Sequence, residues 1–190
     1  MTIVELAPPP VEPLSLGEAR AHLRVDQTAE DGLIAGLIRA VRHHLERETG
    51  LALISRPFRL YLDQWPAGRV LEIGRGPVRS IEAITVYRAD GTPGAVNLTG
   101  FCLDGAARPA RLFLPAVPET QKAINGIEVD FTAGFGETLA DMPEGLRRAM
   151  LLHLTQLYSF RGAVGLEEQP AAVPNGYDRL VAPYRLRRIA

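Results

Sequence analysis

The four histidines are the residues of this sequence best suited to metal or acid–base chemistry, and their spacing argues against both. His43 and His44 are adjacent, so on a helix their side chains point about 100° apart and cannot share one metal ion. His22 and His153 are isolated within separate helical patterns. The pattern predicts surface or structural histidines rather than metal ligands or catalytic bases.

Other patterns typical of enzymes are also missing. The stretch from Gly74 to Ser80 contains two glycines, but it lacks the Lys-Ser/Thr pair and the following helix of a phosphate-binding loop. No serine lies in a Gly-x-Ser-x-Gly elbow. The sequence therefore predicts no catalytic residues, no metal and no cofactor. An enzyme with an unrecognised site around Asp130 and Glu128 stays an alternative, which a deep pocket with converging polar groups would favour.

Cys102 is the only cysteine, which excludes an internal disulfide and a cysteine-based zinc site. It lies in the alternating stretch NLTGFCLD. This setting predicts a small buried side chain rather than a reactive thiol.

Composition predicts an ordinary globular chain. The 190 residues are 46% hydrophobic and 23% charged. No apolar run approaches the roughly 18 residues of a membrane span, and the opening MTIVELAPPP lacks the basic start and apolar stretch of a secretory signal. We expect a protein that works in a bacterial cytoplasm or in a particle assembled there.

Net charge bears on whether the chain binds DNA. The formal net charge is −1, and a stand-alone DNA-binding protein usually has a clear basic excess. The helix pair from Ser15 to Thr49 has the outline of a helix-turn-helix, but its second helix begins AEDGLIAGL, which is acidic and then apolar. A small DNA-binding regulator that uses this pair is the alternative function, and it would show salt-dependent duplex binding.

Hydrophobic periodicity predicts two helices, a β block and a third helix. Ser15 with Glu18 predicts a capping box for a helix over 16–24, and Thr28 with Asp31 predicts another for a helix over 29–49 that Gly50 closes. The period changes to two from Ile54, and turn signals divide 55–136 into five or six antiparallel strands. Helical period returns after Met142-Pro143 and ends near residue 161.

The predicted fold is α+β: a helical bundle of two N-terminal helices and a long C-terminal helix, with an inserted antiparallel β unit and an extended C-terminal tail. The predicted boundaries are an extended, mobile arm over 1–13, a helical domain over 14–54 and 142–162, a β domain over 55–141, and a loop and tail over 163–190.

The tail is the one segment whose composition suggests a binding site. Arginines and apolar residues alternate in it after Pro183: Tyr184, Arg185, Leu186, Arg187, Arg188 and Ile189. Such side chains dominate interface hot spots, although a frayed, solvated terminus has the same composition. Composition alone leaves both interpretations open.

The order of the segments resembles the head–tail connector family of long-tailed bacteriophages, adaptor proteins that dock under the portal. The resemblance covers about 14 to 161 and the last dozen residues, through LSLGEARAHLRVD, the helix that follows it, GPVRSIEAITVYRADGT, IEVDFTAGFG, MPEGLRRAMLLHLTQLYSFRG and LVAPYRLRRIA. Related adaptors occur in prophages and in gene transfer agents.

The resemblance implies a non-enzymatic adaptor in a phage-like particle. It implies a ring of twelve copies between the portal and the next tail-side connector or stopper protein, with a channel through which DNA passes without sequence-specific binding. It also implies that the tail from Tyr184 to Ile189 binds the portal. No membrane partner is expected.

Overall fold

The computed structural model describes residues 1–160 and 173–185. The chain is α+β, as the sequence predicts, with antiparallel sheets and helices. Contacts divide it into two compact units. The β unit contains Met1–Pro10 and Ser55–Phe135, and the helical unit contains Val11–Ile54 and the described residues from Gly136 onward.

The β unit consists of two antiparallel sheets rather than a single set of five or six strands. The larger sheet has the strand order β1-β2-β8-β4-β5, and the smaller has the order β3-β7-β6. The strands are β1 (Thr2–Glu5), β2 (Arg56–Leu62), β3 (Val70–Ile73), β4 (Val78–Tyr87), β5 (Pro93–Ala95), β6 (Cys102–Asp104), β7 (Ala110–Phe113) and β8 (Ile127–Ala133).

The core of the larger sheet follows the period-two pattern of its central strands. Phe58, Leu60 and Leu62 of β2 are buried, as their alternation predicts. On β8 the residues opposite them are also buried, and the ring of Phe58 stacks on that of Phe131 with a 5.6 Å centroid distance. This pairing of apolar residues sets the register of the two strands.

The first residues of the chain form a strand, not the mobile arm that the prolines indicate. Residues 2–5 pair antiparallel with β2 and make an edge of the larger sheet. The carboxylate of Glu5 accepts a 2.9 Å hydrogen bond from Arg56, whose guanidinium is almost fully buried. The prolines after this strand lie in a segment with neither helix nor strand, which contains several bends.

The prediction that Cys102 is buried is wrong. Cys102 is exposed at the start of β6, an edge strand of the smaller sheet. It lies opposite Phe113, which is 44% exposed, so both side chains are on the outer face while Leu103 points the other way. The predicted alternation is therefore present in this stretch, and Cys102 lies on its exposed face.

The helical unit contains four α-helices within the described residues: α1 (Leu16–Leu23), α2 (Asp31–Thr49), α3 (Glu144–Ser159) and α4 (Tyr177–Val181). Short 3-10 turns at Thr28–Glu30, Leu139–Asp141 and Ala182–Tyr184 adjoin them. No helix in the described parts of the chain is both long and apolar enough to cross a bilayer.

The helix ends confirm some of the predicted caps and correct others. The Ser15 hydroxyl accepts a 3.1 Å hydrogen bond from the Glu18 amide, and Gly50 ends α2 with a φ of 71°. The Glu18 carboxylate accepts a 2.7 Å hydrogen bond from Arg147, which ties α3 to α1, so Ser15 is the predicted N-cap but Glu18 does not complete the predicted capping box. Thr28 does not cap α2, because it lies within the preceding 3-10 turn.

Apolar residues of α2 and α3 form the core of this unit. The fully buried side chains of α2 and α3 that the helical period predicts are Ile34, Ile38, Val41, Leu45, Leu146, Met150 and Leu154. Helical spacing predicts an apolar stripe on α2 that also includes Leu33, but Leu33 is 42% exposed. The buried stripe of α2 therefore begins at Ile34.

Candidate docking site at the carboxyl terminus

The base of the C-terminal tail is a compact turn of the helical unit. Gly176 has a φ of 99°, a conformation open to glycine, and this turn leads into α4. The chain then passes through the 3-10 turn that ends at Tyr184 and becomes extended at Arg185. Of the residues predicted to bind the portal, Tyr184 and Arg185 are described, and Leu186, Arg187, Arg188 and Ile189 lie outside the described residues.

Tyr177 joins this turn to α2. Its side chain is fully buried, and its hydroxyl donates a 2.8 Å hydrogen bond to Oε2 of Glu48. Burial, followed by this bond to an anion, raises the pKa of the Tyr177 phenol well above its ordinary value. Tyr177 therefore stays a neutral hydrogen-bond donor across the physiological range.

Arg185 binds the same carboxylate. Its Nε donates a 2.7 Å hydrogen bond to Oε1 of Glu48, and its Nη2 contacts both Glu48 and Asp178. The hydrogen bonds that Arg185 donates to Asp178, and then those to Glu48, raise the pKa of the Arg185 guanidinium. A residue predicted to bind a partner is thus engaged within its own chain.

His153, which is isolated in the sequence, and His44, which is adjacent to His43, meet beside Tyr177. The His44 and His153 rings lie 4.8 Å apart edge to face, and they lie 5.9 Å and 5.5 Å from the Tyr177 ring. Burial, and then the neighbouring His44, lower the pKa of His153 to about 4. Among the described residues no group of three potential ligands is arranged to bind a metal.

Glu48 is the residue that connects these groups, and sequence reasoning missed it. It lies one helical turn after His44, with 3.7 Å between His44 Nε2 and Glu48 Oε2. It also borders a cavity of about 570 Å³ lined by His43, His44 and Arg47. The one-turn spacing from His44 was the only local signal for the cluster, since Tyr177 and Arg185 are far away in sequence.

The acidic pair considered for catalysis is part of an ion-pair network on the β unit. Arg59 donates 2.6 Å and 2.8 Å hydrogen bonds to the two oxygens of Asp130 and lies 3.1 Å from Glu128. These bonds raise the pKa of the Arg59 guanidinium, the one to Asp130 most. Facing residues of β2 and β8 thus neutralise one another, as expected for cross-strand pairs.

The amino end of α2 is acidic, as its sequence indicates. Asp31 lies 3.6 Å from Arg20 of α1, and Glu30 accepts a hydrogen bond from the Tyr158 hydroxyl of α3. These contacts connect α1 and α3 to the amino end of α2. In a helix-turn-helix protein, the amino end of the recognition helix contacts the DNA bases, and here that end is bonded to the neighbouring helices.

No family model and no curated protein matches this chain. Chains in solved structures of gene transfer agent (GTA) particles do match, and each match covers 100% of this chain and 98% of the matching chain. A chain in the neck of an empty GTA particle, computed with C6 symmetry, is 31% identical with a TM-score of 0.84. A chain in the virion of a native GTA particle is 32% identical with a TM-score of 0.84. A chain in the neck of a native GTA particle, computed with C12 symmetry, is 32% identical with a TM-score of 0.81.

The agreement extends over both units and over nearly the whole of both chains, so it is not the likeness of a single shared domain. Identity above 30% over that length, together with the same fold, shows common ancestry rather than a common architecture alone. The chain therefore belongs to the head–tail connector family of phage-like particles.

Proposed function

We propose that this chain is a structural adaptor in the neck of a phage-like particle, where twelve copies form a ring between the portal and the tail around a channel for DNA. The observation that carries the proposal is the full-length match to neck chains of GTA particles, one of them computed with C12 symmetry. The proposed role is non-enzymatic, and the matching chains support it because they are components of particles.

The charge of the chain supports a conduit rather than a DNA-binding protein. A net charge of −1 supplies no basic excess, and a strongly basic lining would retain the duplex through counterion release. The acidic amino end of α2 is already bonded to its neighbouring helices. We expect DNA to pass such a ring without sequence-specific contacts.

A closed ring needs two different surfaces on each subunit, because one face must meet a different face of the next copy. In our proposal the helical domain, 14–54 with 142–162, acts as a bundle that supplies part of this contact. The inserted β domain, 55–141, supplies further surface, and the segment 163–190 contains a loop and the C-terminal tail of the chain, which binds the portal. The contacts that join α1, α2 and α3 support treating these helices as one body.

The tail is the proposed portal-binding segment. The six residues predicted to bind the portal combine the aromatic, basic and apolar side chains that fill grooves on partner proteins: Tyr184, Arg185, Leu186, Arg187, Arg188 and Ile189. Of these, Arg185 is bonded to Glu48 and Asp178 of its own chain. The next tail-side connector would bind elsewhere on the ring.

A truncated chain that ends at Arg185 tests the portal role. It keeps every described contact of the tail base and removes only residues 186–190. We expect capture by purified portal to fall at least about tenfold, which corresponds to about 1.4 kcal/mol, while the thermal midpoint stays that of the full chain. Equal capture of the truncated and full chains would contradict the portal role of the tail.

A further inference from the structure

The carboxylate of Glu48 is shared between two groups of the tail base. Oε2 accepts from the Tyr177 hydroxyl at 2.8 Å, and Oε1 accepts from Arg185 Nε at 2.7 Å. Each oxygen thus has a partner from a segment about 130 residues further along the chain. Glu48 lies in the last turn of α2, whose end Gly50 fixes, so the carboxylate is presented from a rigid element.

One edge of the Arg185 guanidinium is already occupied by bonds within its own chain. A guanidinium can bind a carboxylate through the edge formed by Nε and one Nη. In Arg185 both nitrogens of that edge, Nε and Nη2, bond to one oxygen of Glu48, Oε1, and Nη2 also reaches Asp178. A partner that used the same edge would first have to break these bonds.

The buried Tyr177 hydroxyl distinguishes the Glu48–Arg185 contact from an ordinary surface ion pair. An exposed pair contributes little to stability, and Arg185 by itself is 39% exposed. Tyr177 is fully buried between His44 and His153, and its hydroxyl needs an acceptor at that position. Glu48 provides that acceptor and positions its second oxygen for Arg185.

We propose that Glu48 is a positioning residue for the C-terminal tail. Glu48 holds Arg185 and Tyr177, so that the tail leaves the helical unit from a fixed point. Arg185 then acts through Glu48 rather than by touching the partner. That the partner is the portal rests on the proposed function. Fixing the start of a binding segment lowers the conformational entropy lost on docking, so the anchor strengthens binding without contributing to the interface.

A double-mutant cycle on the full-length chain separates anchoring from direct contact. The variants are Glu48→Gln, Arg185→Gln and their combination, and the measurement is the Kd for purified portal. Glu48→Gln keeps an amide oxygen that can accept from Tyr177, so the fold is retained. We expect each single change to weaken binding roughly threefold to tenfold, as for loss of a partly exposed charged bond, and the double change to weaken it no further.

The matched control is Glu144→Gln, the same chemical change at a carboxylate that is 81% exposed on α3, and it should leave the Kd unchanged. Additive losses in the double variant would overturn the proposal. Weaker binding for Arg185→Gln with unchanged binding for Glu48→Gln would also overturn it, because Arg185 would then contact the portal itself.

A second readout needs no portal. Trypsin must take the Arg185 side chain into its own acidic pocket, so the anchor should slow cleavage after Arg185. Mass spectrometry of timed digests should show this cleavage roughly threefold to tenfold faster in Glu48→Gln, with cleavage after Arg88 of the β unit as the internal reference. An unchanged rate would overturn the anchor. If cleavage after Arg185 is faster in Glu48→Gln but the wild-type chain does not bind the portal, the anchor is retained and the portal role is rejected.

Discussion

At the scale of single residues, a network of buried charged side chains connects parts of the helical unit. Arg42 is only 3% exposed and donates hydrogen bonds to Glu12 at 2.8 Å and to Glu46 at 3.3 Å. Glu46 is buried as well, and its other oxygen accepts from the Leu53 amide at 2.9 Å. This network ties the segment before α1 and the segment after α2 to the middle of α2.

Removal of Arg42 should therefore be costly. Arg42→Met leaves the Glu46 carboxylate buried without its cationic partner, and breaking such a pair destabilises a protein by about 3–5 kcal/mol. Arg39→Met, at an exposed position of the same helix, should change the stability by less than about 0.5 kcal/mol. Urea unfolding of both variants checks the difference, and similar small losses would contradict the role of the network.

His153 predicts a dependence of stability on pH. Its pKa is about 4 in the folded chain against 6.5 in the unfolded chain, because the ring is buried beside His44, while Glu48 acts in the opposite direction. Below pH 6.5 the unfolded chain gains a proton that the folded chain resists, so stability falls as the pH falls from 6.5 to 4. The loss is on the order of 2 to 3 kcal/mol.

His153→Gln should remove this part of the pH dependence, since the amide does not titrate. His43→Gln, at an exposed position on α2, is the matched control and should keep it. The measurement is the free energy of unfolding in urea at pH 7.5, 6 and 5. A wild-type slope that survives in His153→Gln would show that His153 is not its source.

At the scale of elements, β1 has a role that its length does not suggest. It covers one side of β2. Just after β1, the Leu6 amide donates a 3.0 Å hydrogen bond to the carbonyl of Pro57 in β2. Since bonded pairs alternate along an antiparallel ladder, the Val4 amide points towards β2 as well. Without β1, the edge of β2 would be open to pairing with other chains.

Val4→Pro tests this role, because proline has no amide hydrogen to donate to the ladder. We expect a loss of about 1–3 kcal/mol, the cost of a hydrogen bond left unmade, and faster hydrogen exchange in residues 2–6. Val4→Ala keeps the amide and removes only a side chain that is 43% exposed, so it should behave nearly as wild type. Equal exchange in the two variants would show that the pairing contributes nothing.

The elements also show where sequence reasoning succeeds. The stripes of α2 and α3 and the alternation in β2 are local patterns, and their residues have the predicted burial with few exceptions. The pairing of β1 with β2, the division of the strands between two sheets and the exposed face of Cys102 depend on residues far apart in sequence. The cluster around Glu48 depends on such a long-range contact too, so only the tail itself could be proposed from composition.

At the scale of the whole molecule, the described contacts of this chain favour a role in assembly over a role in catalysis. The acidic pair at Asp130 and Glu128 is bonded to Arg59, and the histidines pack around a buried tyrosine. The chain matches neck chains of GTA particles over its full length, one with C6 and one with C12 symmetry. Its near-neutral charge supports the ring that we propose, through which a duplex would pass without being retained.

Electron microscopy of particles from cells that encode this chain tests the central claim most directly. Averaging of the portal vertex should show a twelvefold ring between portal and tail into which this fold fits, and particles made without the chain should lack tails. A neck without density for this fold, together with normal tails on particles that lack the chain, would contradict the account.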